Sequence, residues 1–492
     1  MPRFGVCLLL LVWSGPAGAQ TAAMARAAST AFHSQRDRLT LSAAQRREAD
    51  QLDREAQRAI RAGQFGEALR SYAHAGAVLD GAAWTPALEF AASLEGRLDH
   101  VMLEPGEPAT LALTALYPSS GKSAVAVVLV SASKQGPAEQ ELAHALAMDS
   151  THLPFTTRVV IPDTAPGTYY LEMRLEQPDA PSAPALRERW VKTFPVHIEH
   201  LAAEAQHLRE RLAKQQRSDS PALPTAEYAL QFYERADRGE EGVRRFGHYA
   251  FREQFAAAEA ILDALDAGRD PWADGHGDFH RAYRSPVDGT LQPYRIFIPD
   301  LYDGRRPAPL LVALHGAGGD ENNFFDDFPQ APLQPEAQRL GFIVVCPKGR
   351  DPLSGYRGAA EQDVFDVMTE VRRHYRIAPG RIYLMGHSMG AFATWRLAME
   401  HPDVFAAIGP IAGGGDPQHA AGIHHIAQYI VHGAKDRTVP AAESRVMADA
   451  SRQAGAEVVY VEVPNGGHQD AAIFQFGPML DFFARHVKRA PQ

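Results

Sequence analysis

The sequence predicts an α/β fold: a doubly wound, mostly parallel sheet over residues 276–492, preceded by helical segments and a small β-sandwich. Three observations carry this. After residue 276, apolar strand-like runs alternate with helical periodicity, the pattern of a parallel sheet covered on both faces. Two of those runs, Leu310–Leu314 and Phe342–Val345, are wholly apolar, as strands buried on both sides must be. The run Ile382–Met385 then leads through Gly386-His387-Ser388-Met389-Gly390 into the helical stretch Ala391–Met399, which puts a serine at the corner of a strand–turn–helix unit.

From the N-terminus, Arg3 precedes an apolar stretch from Phe4 to Trp13, followed by Ser14-Gly15-Pro16 and Ala17-Gly18-Ala19. A basic start, a short apolar core and small residues before a cut mark a secretory signal peptide over residues 1–19. Cleavage is expected after Ala19, leaving Gln20 first. The apolar core is far short of the roughly 20 residues that span a bilayer, so no stable membrane insertion is expected. Cys7 lies inside the apolar stretch, against a lipoprotein signal, and leaves with the leader. Cys346 then remains alone, without a disulfide partner, as a small buried hydrophobe in its strand. The protein is expected to be exported, to the periplasm or the medium.

Residues 20–95 are rich in Ala, Arg, Gln and Glu and read as helical. Gly63-Gln64-Phe65, Ala68, Tyr72 and Ala75 resemble one tetratricopeptide-type helical hairpin, with no second copy at the period an array needs. One hairpin packed on its neighbours is the favoured reading. Residues 96–199 change to short β-branched or alternating runs: Thr110–Tyr117, Ala124–Val130, Thr157–Ile161, Thr168–Leu175 and Trp190–Ile198. Turns at Pro105-Gly106 and Pro166-Gly167 separate some of them, and an immunoglobulin-like sandwich is expected. Residues 200–270 return to helical periodicity at Leu201, Ala205, Leu208 and Leu212, broken at Ser218–Pro221. The turn-rich stretch 268–277 reads as a boundary. His276 and His280 lack a third ligand and a regular helix, so they are taken as linker histidines and not as a metal pair.

In the C-terminal region strands are expected at Tyr294–Ile298, Leu310–Leu314, Phe342–Val345, Ile382–Met385, Tyr429–Val431 and Val458–Val463. Val364, Met368, Val371 and Tyr375 share a helical face. Ile473, Phe476, Met479, Leu480, Phe483 and Val487 form the apolar stripe of a last helix.

The chemistry concentrates there. The strand-to-helix turn holds the Ser388 hydroxyl above the sheet edge, over a helix N-terminus. A serine hydroxyl is a weak nucleophile and needs a base. His468, in the loop Pro464-Asn465-Gly466-Gly467-His468 between a strand and the last helix, is the best candidate. His432 ends a strand, where a structural hydrogen bond is expected. His387 points elsewhere by adjacency to the serine, and His424 and His425 sit in a polar loop. Asp436, just after the strand Tyr429–Val431, supplies the acid that fixes the tautomer of the base. The glycine-rich turn His315-Gly316-Ala317-Gly318-Gly319 follows Leu310–Leu314 and lacks the lysine and hydroxyl of a phosphate loop. The oxyanion donors are expected to be the amides of Met389 and Ala317, with Gly318 as second choice.

These stretches resemble the secreted esterase and peptidase branch of the α/β-hydrolases: feruloyl and acetylxylan esterases, polyhydroxybutyrate-depolymerase-like proteins and prolyl-oligopeptidase-type catalytic domains. The similarity rests on Leu314–Gly319, Arg381–Gly390 and His432–Asp436 and covers about His280 to Val487. The resemblance implies a serine acylated at Ser388, a proton shuttle at His468 and orientation by Asp436. Ala391 stands where many relatives carry a further glycine, which is expected to tighten the elbow. No β-propeller repeat precedes the domain.

Function follows as cleavage of carboxylic esters, on small or polymeric substrates. Only 48 positions separate Ser388 from Asp436 and 32 separate Asp436 from His468, leaving little room for a lid between them. A peptidase with the same triad is the second reading, and a non-catalytic envelope interaction protein the third. Intact catalytic elements speak against the last. No metal, nucleotide or organic cofactor is implied. A formal net charge of −10 gives no reason to expect a nucleic-acid partner. Oligomeric state is not specified by the sequence.

Overall fold

A computed structural model describes residues 22–131, 140–163, 165, 167–176, 191–198, 200–215, 219–238, 250–272, 275–328, 332–472 and 474–488. The expected leader with Cys7, and also Pro166, Trp190, Ser218 and Ile473, lie outside the described residues. The chain divides into two compact units, Met1–Gln206 with Phe232–Gly247, and His207–Gln231 with His248–Gln492.

The first unit begins with helices Ala22–Arg36, Ala43–Arg61, Phe65–Leu79 and Pro86–Ser93. Ser42 caps the second of these reciprocally with Gln45, which satisfies two of its free amide donors. Alanines at Ala49, Ala56, Ala68 and Ala75 let the helices approach around Phe32, Leu52 and Tyr72. Strands β1 (Leu94–Leu98), β2 (Met102–Leu103), β3 (Pro108–Ala115), β4 (Lys122–Ser131), β5 (Gln140–Asp149), β6 (Phe155–Val160), β7 (Gly167–Glu176) and β8 (Val191–Ile198) follow. They form two sheets, ordered β1-β3-β6 and β2-β8-β7-β4-β5. Strand β5 has no counterpart in the sequence reading. Its Ala-rich run suits a helix equally well, and its pairing with β4 decides the matter.

The second unit is built on β9 (Gly277–Arg284), β10 (Leu291–Ile298), β11 (Ala308–Leu314), β12 (Ile343–Pro347), β13 (Ile377–His387), β14 (Ala407–Ile411), β15 (Ala427–Gly433) and β16 (Val458–Val463). These give one eight-stranded sheet ordered β16-β15-β14-β13-β11-β12-β10-β9. From β11 to β16 every pairing is parallel, and β10 runs antiparallel to both of its neighbours. Alternate residues of each strand feed opposite cores. Leu310, Val312 and Leu314 join Val364, Met368, Leu384 and Trp395 on one face. Leu311 and Ala313 join Tyr383, Met385, Phe476, Met479 and Phe483 on the other. Cys346 is buried in the second core as a free thiol, and burial raises its pKa. Thr225 and Glu227, from the helix Leu223–Asp237, tie residues 207–231 to β9 through the Ala282 amide (3.0 Å) and Arg284.

The structure corrects two expectations and adds a strand that the sequence does not announce. His280 is not a linker residue: it sits in β9, paired with Arg295 of β10, while His276 just ahead donates to the Tyr302 carbonyl at 2.9 Å. The unannounced β14 contains Gly409 and Pro410, residues that ordinarily argue against a central strand. Here a β-carbon at Gly409 would lie 2.4 Å from Met479 Sδ, so the glycine is what lets the last helix settle on the sheet. Val487 is exposed beyond the end of the last helix, Phe476–Arg485, and does not belong to its apolar stripe.

Candidate active site

Strand β13 ends at His387 and the helix Met389–Glu400 starts two residues later, so Ser388 turns the chain by itself. It does so at φ 54°, ψ −116°, a conformation that costs a non-glycine residue about 1–3 kcal/mol. The strain is held from both sides. Ser388 N–H donates to the Ile411 carbonyl at 2.9 Å, and Gly390 presses against the end of β11. A β-carbon at Gly390 would lie 2.0 Å from the Leu314 carbonyl oxygen, a clash with backbone that no rotamer relieves. Gly390→Ala is therefore expected to destabilise the protein by about 3 kcal/mol or more, through overpacking. Denaturant midpoints measure this, and an unchanged midpoint would contradict the packing described. The alanine at 391 is accommodated by a glycine across from it: Gly413 could not carry a β-carbon without coming within 2.5 Å of Ala391 Cβ.

Ser388 makes no side-chain cap bond to its own helix. Its hydroxyl donates instead to His468 Nε2 at 2.9 Å, and His468 Nδ1–H donates to Asp436 Oδ2 at 2.7 Å. The structure thus brings the three sequence-predicted residues into one relay, although they lie on three separate loops past the C-terminal ends of β13, β15 and β16. The carboxylate is wholly buried and the imidazole 14% exposed. Burial alone would raise the Asp436 pKa. Hydrogen bonds from His468 and from the Val439 and Thr438 amides outweigh it and hold the carboxyl below its ordinary value.

The glycine-rich turn after β11 lies beside this relay. A β-carbon at Gly316 would be 3.4 Å from Ser388 Cβ. Of the two amides weighed there, Gly318 N–H is committed to the Pro352 carbonyl at 2.9 Å, which leaves Ala317 as the candidate donor. Met389 is the first residue of its helix, where amides have no acceptor one turn back.

Two further histidines take part, and sequence adjacency did not reveal how. His387 is buried, and its Nε2–H donates to the His468 carbonyl at 2.8 Å while the two rings lie 4.9 Å apart. It clamps the loop that carries the base. Burial lowers its pKa from 6.5 to about 4, with the accepting carbonyl of His468 working the other way. The folded protein therefore refuses a proton that the unfolded chain accepts below pH 6.5, so stability falls as pH drops from 6.5 towards 4, by up to about 3 kcal/mol. His387→Asn is expected to flatten that slope in urea titrations run across the interval. An identical slope in both proteins would rule His387 out as its source. His432 is also buried, against Ser444, Val439 and Asp436 itself. His424 and His425 bond to the Ala421 and Pro402 carbonyls and stay out of the relay.

The sheet order, with a serine on its central strand–helix turn and an acid and a histidine following in that chain order, is the α/β-hydrolase fold. No family model matches the chain. Over 122 residues it is 32% identical to poly(3-hydroxyalkanoate) depolymerase C of Paucimonas lemoignei, covering 22% of this chain and 28% of that protein. Over 199 residues it is 26% identical to the bifunctional acetylxylan esterase/xylanase XynS20E of Neocallimastix patriciarum, covering 37% and 28%. A probable feruloyl esterase C of Aspergillus flavus is 25% identical over 190 residues, covering 37% of this chain and 69% of its own. The chain thus spans little more than a quarter of the length of the first two relatives. Among the described residues no helix is long and apolar enough to cross a membrane.

Proposed function

We propose that the protein is an exported serine hydrolase that cleaves carboxylic esters through an acyl-enzyme on Ser388. The observation that carries the reading is the relay itself, Ser388 Oγ to His468 Nε2 at 2.9 Å and His468 Nδ1 to Asp436 at 2.7 Å. In this reading His468 takes the hydroxyl proton as Ser388 attacks the ester carbonyl. The Met389 and Ala317 amides receive the developing oxyanion, and His468 returns the proton to the departing alcohol. Water then repeats the sequence on the acyl group and releases the acid. Asp436 keeps the imidazole in the tautomer whose Nε2 can accept.

Similarity to proteins named as a poly(3-hydroxyalkanoate) depolymerase, an acetylxylan esterase/xylanase and a feruloyl esterase supports an ester over other acyl substrates. The basic and apolar opening of the sequence supports export. The test is turnover of 4-nitrophenyl acetate, methyl ferulate and a proline-containing chromogenic peptide by the mature protein. Ester hydrolysis is expected. Cleavage confined to the peptide would replace this reading with a peptidase, and inertness on all three would remove the enzymatic reading for these substrate classes.

A further inference from the structure

The triad carboxylate has a second histidine. His432 Nε2 lies 3.0 Å from the Val439 carbonyl and 3.3 Å from Asp436 Oδ2, the same oxygen that accepts from His468. Both neighbours of Nε2 are oxygens that only accept, given that Asp436 is ionised, so Nε2 carries a hydrogen. On the other side of the ring, Nδ1 is 2.7 Å from Ser444 Oγ, and that hydroxyl donates to the Gly413 carbonyl at 2.7 Å. A hydroxyl has one hydrogen. With it given to Gly413, Ser444 can only accept from Nδ1, so Nδ1 carries a hydrogen as well. Either neutral tautomer leaves two oxygens, or a bare ring nitrogen and oxygens, facing each other in a site where His432 and Asp436 have no exposed side-chain surface.

We infer that His432 is held as a doubly protonated imidazolium that shares the Asp436 carboxylate with His468 and acts as a positioning residue for the relay. Asp436 is then enclosed on all sides: Oδ1 accepts from the Thr438 and Val439 amides, and Oδ2 accepts from His468 with the His432 ring nitrogen 3.3 Å away on its other side. The other titratable groups facing His432 are His468, His387 and Glu462, its register partner on β16, which is already bonded to Arg445. A cation on the far side of the carboxylate offsets part of the negative charge that His468 meets.

The inference rests on the reading of Asp436 as the acid of the relay, and the two can be tested apart. In the full chain labelled at histidine with nitrogen-15, with His432→Gln used only to assign the signals, both His432 ring nitrogens are expected in the protonated range between pH 6 and 8. A neutral single-tautomer pattern there would overturn the inference whatever the activity. In the ester assay His432→Gln, which keeps a neutral donor, is expected to move the acid limb of the kcat/KM profile upward by about one pH unit. A merely structural role would lower the plateau without moving the limb, and that result would overturn the charge-sharing claim. If the wild-type protein hydrolyses no ester while His432 shows both protonated nitrogens, the ester-hydrolase reading fails and the charge state stands.

Discussion

Ser388→Ala is expected to reduce kcat/KM for ester hydrolysis by on the order of 10⁵-fold, about 7 kcal/mol of transition-state stabilisation, while leaving the fold intact. The effect is large because the hydroxyl is the proposed nucleophile, and His468 and Asp436 act only through it. The geometry adds a second expectation that separates chemistry from strain. Ser388 sits at φ 54°, ψ −116°, which alanine tolerates no better than serine. Glycine adopts it freely. Ser388→Gly should therefore be as inactive as Ser388→Ala yet melt higher, the gap corresponding to about 1 kcal/mol. Thermal unfolding of the two inactive proteins measures the gap directly. Retention of a tenth of the wild-type activity in either variant would remove Ser388 as the nucleophile.

Asp436→Asn is expected to cost about 10⁴-fold in kcat with a much smaller change in KM. The reason lies in how fully the carboxylate is used. One oxygen accepts two backbone amides, from Thr438 and Val439, and the other faces His468 and His432. Asparagine has one acceptor oxygen. If that oxygen stays with the two amides, the side-chain NH₂ points at His468 Nδ1 and forces the hydrogen onto Nε2, where it blocks acceptance from Ser388. If it turns to His468, the NH₂ meets two backbone donors. Steady-state kinetics on the ester substrate decide the matter, and an Asn variant within tenfold of wild type would show that Asp436 does not set the tautomer.

Much of this is legible in the sequence, because the chemistry sits where local signals are strongest. A glycine–serine–glycine turn between an apolar strand and a helix, a glycine-rich turn after Leu310–Leu314, and Asp436 and His468 each just past a strand are short-range patterns. Each reflects what the backbone must do at that point. The wholly apolar strands likewise announced a sheet covered on both faces, and the eight-stranded sheet has that form.

What escaped is what depends on distant neighbours. Strand β14 carries Gly409 because Met479 and Phe483 occupy the space above it. Strand β9, the edge that opens the sheet, overlaps a turn-rich stretch, and an eight-residue run with few apolar side chains and no regular alternation becomes a strand only beside β10. Ala391 is tolerated in the elbow because of Gly413, 22 positions away.

The division has a physical cause. The local sequence sets which residue types stand at turns and which runs are apolar enough to be buried, because backbone torsion and hydrophobicity are properties of a few consecutive residues. It named Ser388, Asp436 and His468 on that basis. That the three meet within hydrogen-bond distance, that Gly318 is spent on Pro352, and that His387 and His432 lie against the relay depends on the tertiary fold. Hydrogen bonds and burial are set by atoms far apart along the chain, and no local pattern encodes them.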